Sequence, residues 1–225
     1  MFSGALGIGK GVTAIIGSGG KTSLMLKLAG ELRGRTIVAT TTRIFPPADM
    51  PLVTSPDPVE LRRALALGRT VCVGTPAADG KLAAGPLPLE ELLELCDNLL
   101  VEADGARDMP LKAHADYEPV IPACSSRVLL VVGASGLNAP IRRAVHRPEL
   151  FCAATGASPD ECATPERVAE LINREALADT VVINQCDAAD CRAVNSLAAQ
   201  LHAAVFLASV REGCVREFDG ARPRA

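Results

Sequence analysis

The chain has 225 residues, of which 48% are hydrophobic, so it can bury the core of one α/β domain and disorder over most of its length is excluded. Its 23 basic and 26 acidic residues give a formal charge of −3, which argues against nucleic acid or an anionic membrane as a bulk partner. We expect a cytoplasmic protein, because no apolar run approaches the roughly 20 residues that span a bilayer and no secretory signal is visible.

Strands and helices are predicted to alternate along the chain. The predicted strands are Val12–Ile16, Thr36–Thr41, Val71–Gly74, Asn98–Ala103, Arg127–Gly133, Thr180–Asn184 and Ala204–Ala208. The predicted helices are Lys21–Leu32, Pro58–Leu67, Leu89–Cys96, Pro148–Ala154, Pro165–Arg174 and Ala188–Ala199. Strands that are apolar on both faces and separated by helices indicate a mostly parallel sheet in a three-layer α/β/α sandwich, here of the P-loop NTPase type.

Residues 1–210 are predicted to form a single P-loop nucleotide-binding domain. Within it, the proline-rich stretches Pro46–Pro58 and Pro76–Pro88 are predicted loops and candidates for a lid or an insertion. The polar tail, residues 211–225, is expected to be loose.

A glycine-rich loop follows the first predicted strand and opens the first predicted helix. Its residues are Gly17, Ser18, Gly19, Gly20, Lys21, Thr22 and Ser23. Glycines let consecutive backbone N–H groups converge on a phosphate, and the helix adds its positive N-terminal end. We expect Lys21 to reach the β- and γ-phosphates of ATP or GTP, and the Thr22 hydroxyl to ligate Mg²⁺. The short spacing Gly-x-x-Gly-Lys-Thr resembles the loop of Mur ligases and folylpolyglutamate synthetases.

Two acids end the buried strand that begins at Asn98. Side chains alternate along a strand, so Glu102 and Asp104 are predicted to point the same way. This spacing suits one acid on Mg²⁺, directly or through water, and one that positions a nucleophile. The sequence leaves open which acid has which role.

Hydroxyl and basic residues close the second predicted strand. Thr41 and Thr42 are candidates for contact with Mg²⁺ or the γ-phosphate, and Arg43 for contact with phosphate or substrate. The alternative is that these threonines only favour a strand and that Arg43 lies on the surface.

The segment after the strand at Thr180 resembles the Asn-Lys-x-Asp motif by which GTPases read guanine. Asn184 and Asp187 match it, whereas Gln185 replaces the lysine. A carboxylate at Asp187 can accept two hydrogen bonds from guanine, and adenine lacks that donor pair. The alternative is that Asp187 caps the following helix, so both ATP and GTP remain candidates.

A loop after the acidic strand is predicted to lie over the nucleotide. In it, Lys112, which is also a candidate catalytic residue, and Glu118 are candidates for substrate contact or for organising the γ-phosphate, and His114 lies between them without an assigned role. His146 and Arg147 follow the next strand and are candidates for the same site.

Eight cysteines lack any Cys-x-x-Cys pair and are interpreted as small hydrophobic residues in a reducing compartment. The alternative is a metal site that includes Cys186 and Cys191 together with a distant third ligand.

Together these segments resemble the YqeC family, described as selenium-dependent hydroxylase accessory proteins. The resemblance extends from about Val12 to Ala208 and rests on the blocks Ile16–Thr22, Thr40–Ile44, Val101–Ala106, Pro110–Ala113, Glu118–Pro122, His146–Glu149 and Asn184–Asp187. It implies a cytoplasmic P-loop protein that takes part in maturation of selenium-dependent molybdenum hydroxylases. It also implies a hydroxylase or a molybdenum-cofactor species as partner.

Three functions are therefore weighed. The first is an accessory protein that hydrolyses a nucleoside triphosphate with Mg²⁺. The second is an ATP-dependent ligase or kinase that acts on a small molecule, and the third is a module that senses nucleotide without turnover. We expect no further C-terminal domain such as Mur ligases carry, because little sequence follows the last predicted strand, and this expectation counts against the ligase.

Overall fold

The computed structural model describes residues 1–55 and 57–220. The strands are β1 (Gly11–Gly17), β2 (Thr36–Thr40), β3 (Leu52–Val53), β4 (Thr70–Val73), β5 (Thr75–Pro76), β6 (Leu82–Ala83), β7 (Asn98–Glu102), β8 (Leu111–Lys112), β9 (Ser125–Gly133), β10 (Val145–His146), β11 (Thr180–Asn184), β12 (Ala204–Ser209) and β13 (Cys214–Glu217). The helices are α1 (Phe2–Ala5), α2 (Lys21–Glu31), α3 (Pro58–Gly68), α4 (Leu89–Leu95), α5 (Ile141–Ala144), α6 (Pro148–Thr155), α7 (Pro165–Glu175) and α8 (Cys191–Gln200). None of these helices combines the length and the apolar character needed to cross a bilayer.

A large twisted sheet forms the middle layer of the fold. Within the described chain its strand order is β13-β12-β11-β9-β1-β7-β2-β4-β3, and all neighbouring strands are parallel except β12 and β13. Strand β1 lies between β9 and β7, so the loop that follows β1 lies at the centre of the carboxyl edge. The predicted α/β fold with a mostly parallel sheet is confirmed.

Helices cover both faces of the sheet. Successive residues of a strand point to opposite faces, and the residues on both faces are buried. Ile15 packs in one buried cluster with residues of α1 and α2. The next residue, Ile16, packs in another cluster with Phe151 of α6 and with residues of α7 and α8. Farther along this second face, α3 and α4 cover β2, β4 and β7. The result is a three-layer sandwich in which the helices leave the carboxyl edge of the sheet uncovered.

The C-terminal segment differs from the expected loose tail. Residues Cys214–Glu217 form β13, which pairs antiparallel with β12 at the edge of the sheet. Its polar residues are exposed because an edge strand has a neighbouring strand on one side only. This polarity led to the wrong expectation of a loose tail. The last part of the tail, residues 221–225, lies outside the described residues.

The proline-rich stretches contain structure that the sequence did not reveal. Strand β3 lies in the first stretch, in which residue 56 is outside the described residues. Strands β5 and β6 form a hairpin that covers the first part of the second stretch. The backbone of Ile44 pairs with that of Leu82, which attaches this hairpin to the segment after β2. The hairpin therefore lies against the carboxyl edge of the sheet.

Candidate functional site

The phosphate loop joins β1 to α2, as predicted. Gly19 and Gly20 have φ values of 77° and 113°, a region that favours glycine. A Cβ atom on Gly19 would lie 2.3 Å from the Cα atom of Gly133, and one on Gly20 would lie 2.5 Å from Nδ2 of Asn184. Both glycines are therefore required by backbone conformation and by close packing of the loop against β9 and β11.

Lys21 begins α2 and is held by the loop and by both predicted acids. Its Nζ donates a hydrogen bond to the carbonyl oxygen of Gly17 at 2.7 Å. The same Nζ lies 3.2 Å from Oδ1 of Asp104 and 3.7 Å from Oε1 of Glu102. The prediction that Glu102 and Asp104 point the same way is thus confirmed, since both approach one ammonium group.

Thr22 and Glu102 meet at the wall of a cavity beside the phosphate loop. The Thr22 hydroxyl donates to Oε2 of Glu102 at 2.7 Å, and both residues line the cavity. Burial raises the pKa of Glu102, although the charge of Lys21 and the hydrogen bond from Thr22 oppose this effect. A hydroxyl and a carboxylate oxygen that face a cavity are suitable ligands for Mg²⁺, which commonly takes one or two carboxylates and completes its shell with phosphate and water.

Asp104 lies behind the loop instead of on the cavity wall. It is fully buried, and its Oδ2 accepts a hydrogen bond from the backbone N–H of Gly17 at 2.9 Å. Burial alone would raise the pKa of Asp104, but the hydrogen bond with His114 and the charges of Lys21 and Lys112 lower it to about 2. The structure therefore places Asp104 among cations, away from the position expected for a metal ligand.

Lys112 is also buried, so it does not reach the cavity as the sequence suggested. Its side chain is 1% exposed, and Nζ lies 3.1 Å from Oδ2 of Asp104. Nζ also donates to the carbonyl oxygen of Gly105 at 2.6 Å and to Oε2 of Glu118 at 2.9 Å. The pairing of β8 with β10 places Lys112 in this network, where it positions other charged groups.

His114 extends this network to α7. Its Nε2 lies 3.0 Å from Oδ2 of Asp104, and its Nδ1 lies 2.7 Å from Oε2 of Glu175. Burial lowers the pKa of His114, but hydrogen bonds to Asp104 and Glu175 outweigh this and raise it. Glu175 was not identified from the sequence, because it is 61 residues from its partner and ends an ordinary amphipathic helix.

The cavity beside the phosphate loop has a volume of about 590 Å³ and extends beyond the predicted residues. Thr42 and Arg43 line it, whereas the Thr41 hydroxyl donates to the carbonyl oxygen of Val120. Arg43 forms an ion pair with Asp79 at 3.1 Å. Thr41 is thus turned towards the protein, whereas the next two residues, Thr42 and Arg43, line the cavity.

Three further residues on the cavity wall were missed by the sequence analysis. Phe45 is 60% exposed, and Nζ of Lys81 lies 4.8 Å from the centre of its ring. Arg107 also lines the wall. No motif marks these residues, and the β5–β6 hairpin that presents Lys81 is joined to Phe45 only by tertiary pairing.

Asn184 fastens β11 to the phosphate loop. Its Nδ2 donates to the carbonyl oxygen of Gly19 at 2.8 Å, and its Oδ1 accepts from the backbone N–H of Val210 at 3.0 Å. Asp187 is exposed and does not line the phosphate-loop cavity, whereas Gln185 does. The alternative role of Asp187 as a helix cap is wrong, because Asp190 caps α8.

The suggested metal site at Cys186 and Cys191 has no support in the described part of the chain. Both thiols are free, and no group of three or more His, Cys, Asp or Glu side chains there is arranged to hold a metal ion.

Comparison with known proteins gives one family. The sequence model described as "YqeC protein" matches residues 13–149, which include the phosphate loop, the acidic strand and His146. The chain is 38% identical to "Uncharacterized protein YqeC" of Escherichia coli (strain K12) over 159 residues, or 66% of this chain. The match spans 62% of the length of that curated relative. No solved structure gives a significant match.

Proposed function

Because this chain belongs to the YqeC family, we propose that it binds a nucleoside triphosphate with Mg²⁺ on the Gly17–Ser23 loop and hydrolyses it. The observation that carries the proposal is the contact of Thr22 with Glu102 at 2.7 Å on the cavity wall, directly after a glycine loop between β1 and α2. This arrangement combines an anion-binding loop with oxygen ligands for a divalent cation.

Different groups of the chain would bind the phosphates and the metal ion. The backbone N–H groups of the loop and the N-terminal end of α2 receive the phosphate oxygens. Lys21 balances the negative charge of the β- and γ-phosphates, while Asp104 and Glu102 keep its ammonium group in place. Thr22 and Glu102 would hold Mg²⁺, which neutralises phosphate charge when bound.

Basic residues on the outer wall of the cavity add positive charge to the proposed nucleotide site. Arg43, Lys81 and Arg107 line the cavity and supply positive charge, and the charge of Arg43 is shared with Asp79. Positive charge held at the γ-phosphate stabilises a transition state in which negative charge spreads over its oxygens.

We further propose that turnover serves the maturation of selenium-dependent molybdenum hydroxylases. The proposed partner is a hydroxylase or a molybdenum-cofactor species, and the proposed location is cytoplasmic; the resemblance to the family supports this role. Hydrolysis would change the arrangement of the loops around the cavity and so release or reposition the partner.

Phosphate release from Mg²⁺-ATP and Mg²⁺-GTP tests the proposal. We expect release with water alone. Thr22→Val should lower it at least about tenfold, since the loss of even an outer partner that orients a metal ligand costs about 10–100-fold. Lys27→Ala, on the exposed side of the same helix, serves as the control and should leave release unchanged. Release only after addition of a small-molecule acceptor would indicate a kinase or ligase instead, and tight binding without release would indicate a sensor.

A further inference from the structure

A second cavity lies beside the start of α6. Its volume is about 510 Å³, and its wall includes Tyr117, His146 and Arg147. It shares Gly105, Arg107 and Met109 with the phosphate-loop cavity, so one short loop borders both. A ligand in the second cavity would therefore lie next to the phosphate-binding region.

Positive charge predominates on the wall of this cavity. The wall carries three arginines, Arg107, Arg142 and Arg147, and two glutamates, Glu118 and Glu149; Arg142 also forms an ion pair with Asp160, which lies outside the wall. Glu118 is already neutralised, because Lys112 and Arg147 both bind its carboxylate. Among the described residues, no acid lies within ion-pair distance of Arg107, whose charge is left for a ligand.

The electrostatic environment of His146 agrees with this excess of positive charge. Burial lowers the pKa of His146, and the charges of Lys112 and Arg147 lower it further. The imidazole is therefore neutral near pH 7 and can donate one hydrogen bond without adding charge. An anion with several acceptor oxygens fits this set of donors better than a cation or an apolar molecule.

The backbone around this cavity is held in an unusual conformation. Arg107, Asp108 and Arg147 have φ values of 48°, 61° and 66°. Residues other than glycine rarely adopt this region of backbone conformation. Such conformations persist where the surrounding structure fixes them, and they concentrate at binding sites. Here they aim two arginine side chains at one cavity.

We propose that the second cavity binds a small anion of the phosphate class, either phosphate itself or a phosphorylated molecule, through Arg107, His146 and Arg147. We also propose that its occupancy is coupled to that of the phosphate loop. The binding site is independent of the proposed function, whereas the coupling rests on it.

A continuous chain of ion pairs provides the coupling. It starts with Lys21 and Asp104 at 3.2 Å and continues from Asp104 to Lys112 at 3.1 Å. Lys112 lies 2.9 Å from Glu118, which lies 2.7 Å from Nε of Arg147. All of these side chains except Arg147, which is 22% exposed, are at most 9% exposed. A change of charge near Lys21 is therefore weakly screened along this path and alters the electrostatic energy of Arg147. By linkage, each ligand must change the affinity of the other by the same factor.

Tyr117 provides a direct report on the second cavity. It is the sole tyrosine of a sequence without tryptophan, and the guanidinium carbon of Arg147 lies 5.1 Å from the centre of its ring. Fluorescence excited in the aromatic band therefore reports mainly on Tyr117, and inorganic phosphate does not absorb there. Titration of the full chain with inorganic phosphate should give a saturable change in this fluorescence.

Variants identify the groups that bind. Arg147→Gln and Arg107→Ala should each weaken phosphate binding about tenfold, since a hydrogen bond to a charged group contributes that order of affinity. Arg63→Gln, on the exposed side of α3, should bind as the wild type does. If Arg147→Gln fails to fold, Arg107→Ala still tests the proposal, because Arg107 is exposed. Wild-type affinity in the folded variants, or no saturable response, would overturn the site.

Saturation with Mg²⁺ and the ATP analogue AMPPNP separates the two cavities. The phosphate response should persist, with an affinity changed by about fivefold or more. Disappearance of the response would place the phosphate on the Gly17–Ser23 loop and overturn the proposal. If calorimetry shows that AMPPNP does not bind while the arginine-dependent response remains, the site stands, and both the coupling and the proposed function fail.

Discussion

The carboxylate of Asp104 accepts a hydrogen bond from the backbone N–H of Gly17, the last residue of β1, at 2.9 Å. This contact ties the acidic strand to the start of the phosphate loop and buries one negative charge among Lys21, Lys112 and His114. The loop is thus shaped from behind by a side chain that does not face the cavity.

Asp104→Asn should strongly destabilise the protein at pH 7. The variant leaves buried cations without their common partner, and breaking a buried ion pair in this way costs about 3–5 kcal/mol of unfolding free energy. Urea denaturation measures the effect. Asp116→Asn, which changes an exposed acid in the same region, should stay within about 0.5 kcal/mol of the wild type.

The effect of Asp104→Asn should shrink in acid. The pKa of Asp104 is about 2 in the folded protein, below the value of roughly 3.9 in an unfolded chain. A lowered pKa stabilises the folded state above the unfolded value, and this contribution is lost as the pH falls from about 4 towards 2. A difference in stability that stays constant between pH 5 and pH 3 would contradict the assignment.

His114→Gln should remove a pH dependence of stability that lies above about pH 6.5. The pKa of His114 is raised in the folded state by hydrogen bonds to Asp104 and Glu175 that outweigh burial. Its contribution is therefore fully present below about pH 6.5, the unfolded value, and is lost as the pH rises through the folded pKa. Unfolding free energies measured from pH 6 to 9 should converge between the wild type and His114→Gln. His202→Gln, at an exposed position, should follow the wild type throughout.

Asn184→Ala should loosen the phosphate loop as well as lower stability. The change leaves the carbonyl of Gly19 and the N–H of Val210 without their partner, which costs about 1–3 kcal/mol for buried groups. Nucleotide affinity should fall too, because Gly19 belongs to the loop that receives the phosphates. Asn195→Ala, on the exposed side of α8, is the matched control. Equal nucleotide affinity in the two variants would show that the hydrogen bonds of Asn184 have no role in nucleotide binding.

Glu118→Gln tests the far end of the buried network. Glu118 binds Lys112 and Arg147, and these hydrogen bonds lower its pKa despite partial burial. Loss of its charge should release Arg147 from Tyr117 and change the tyrosine fluorescence of the unliganded protein. Glu149→Gln, on the same cavity wall but without a partner among the described residues, should have a smaller effect on that fluorescence. An unchanged emission in Glu118→Gln would mean that Glu118 does not position Arg147.

Most of the correct predictions rest on sequence patterns that extend over only a few residues. The glycine loop and the acidic strand are recognisable because the backbone demands of a phosphate site and the alternation of a strand act over a few residues. The parallel sheet follows from apolar strands separated by helices, and its bounds agree within one or two residues for most elements. The order of the strands required the structure.

Tertiary contacts explain what was missed. Glu175 and Asp104 flank one imidazole although they belong to distant elements. Burial could not be read from residue type either, so Lys112 and Asp104 were expected at the cavity and lie behind it. Phe45 and Lys81 reach the cavity only because the β5–β6 hairpin pairs with Ile44.

The most direct test of the account is calorimetric titration of the protein with the ATP and GTP analogues AMPPNP and GMPPNP in the presence of Mg²⁺. We predict that at least one analogue binds, and that Lys21→Ala and Thr22→Val weaken binding by about tenfold or more, since each removes a charged or metal contact. Lys27→Ala should bind as the wild type does. If neither analogue binds to the folded wild-type protein, or if Thr22→Val binds as tightly as Lys27→Ala, the Gly17–Ser23 loop is not a nucleotide site and the central claim is contradicted.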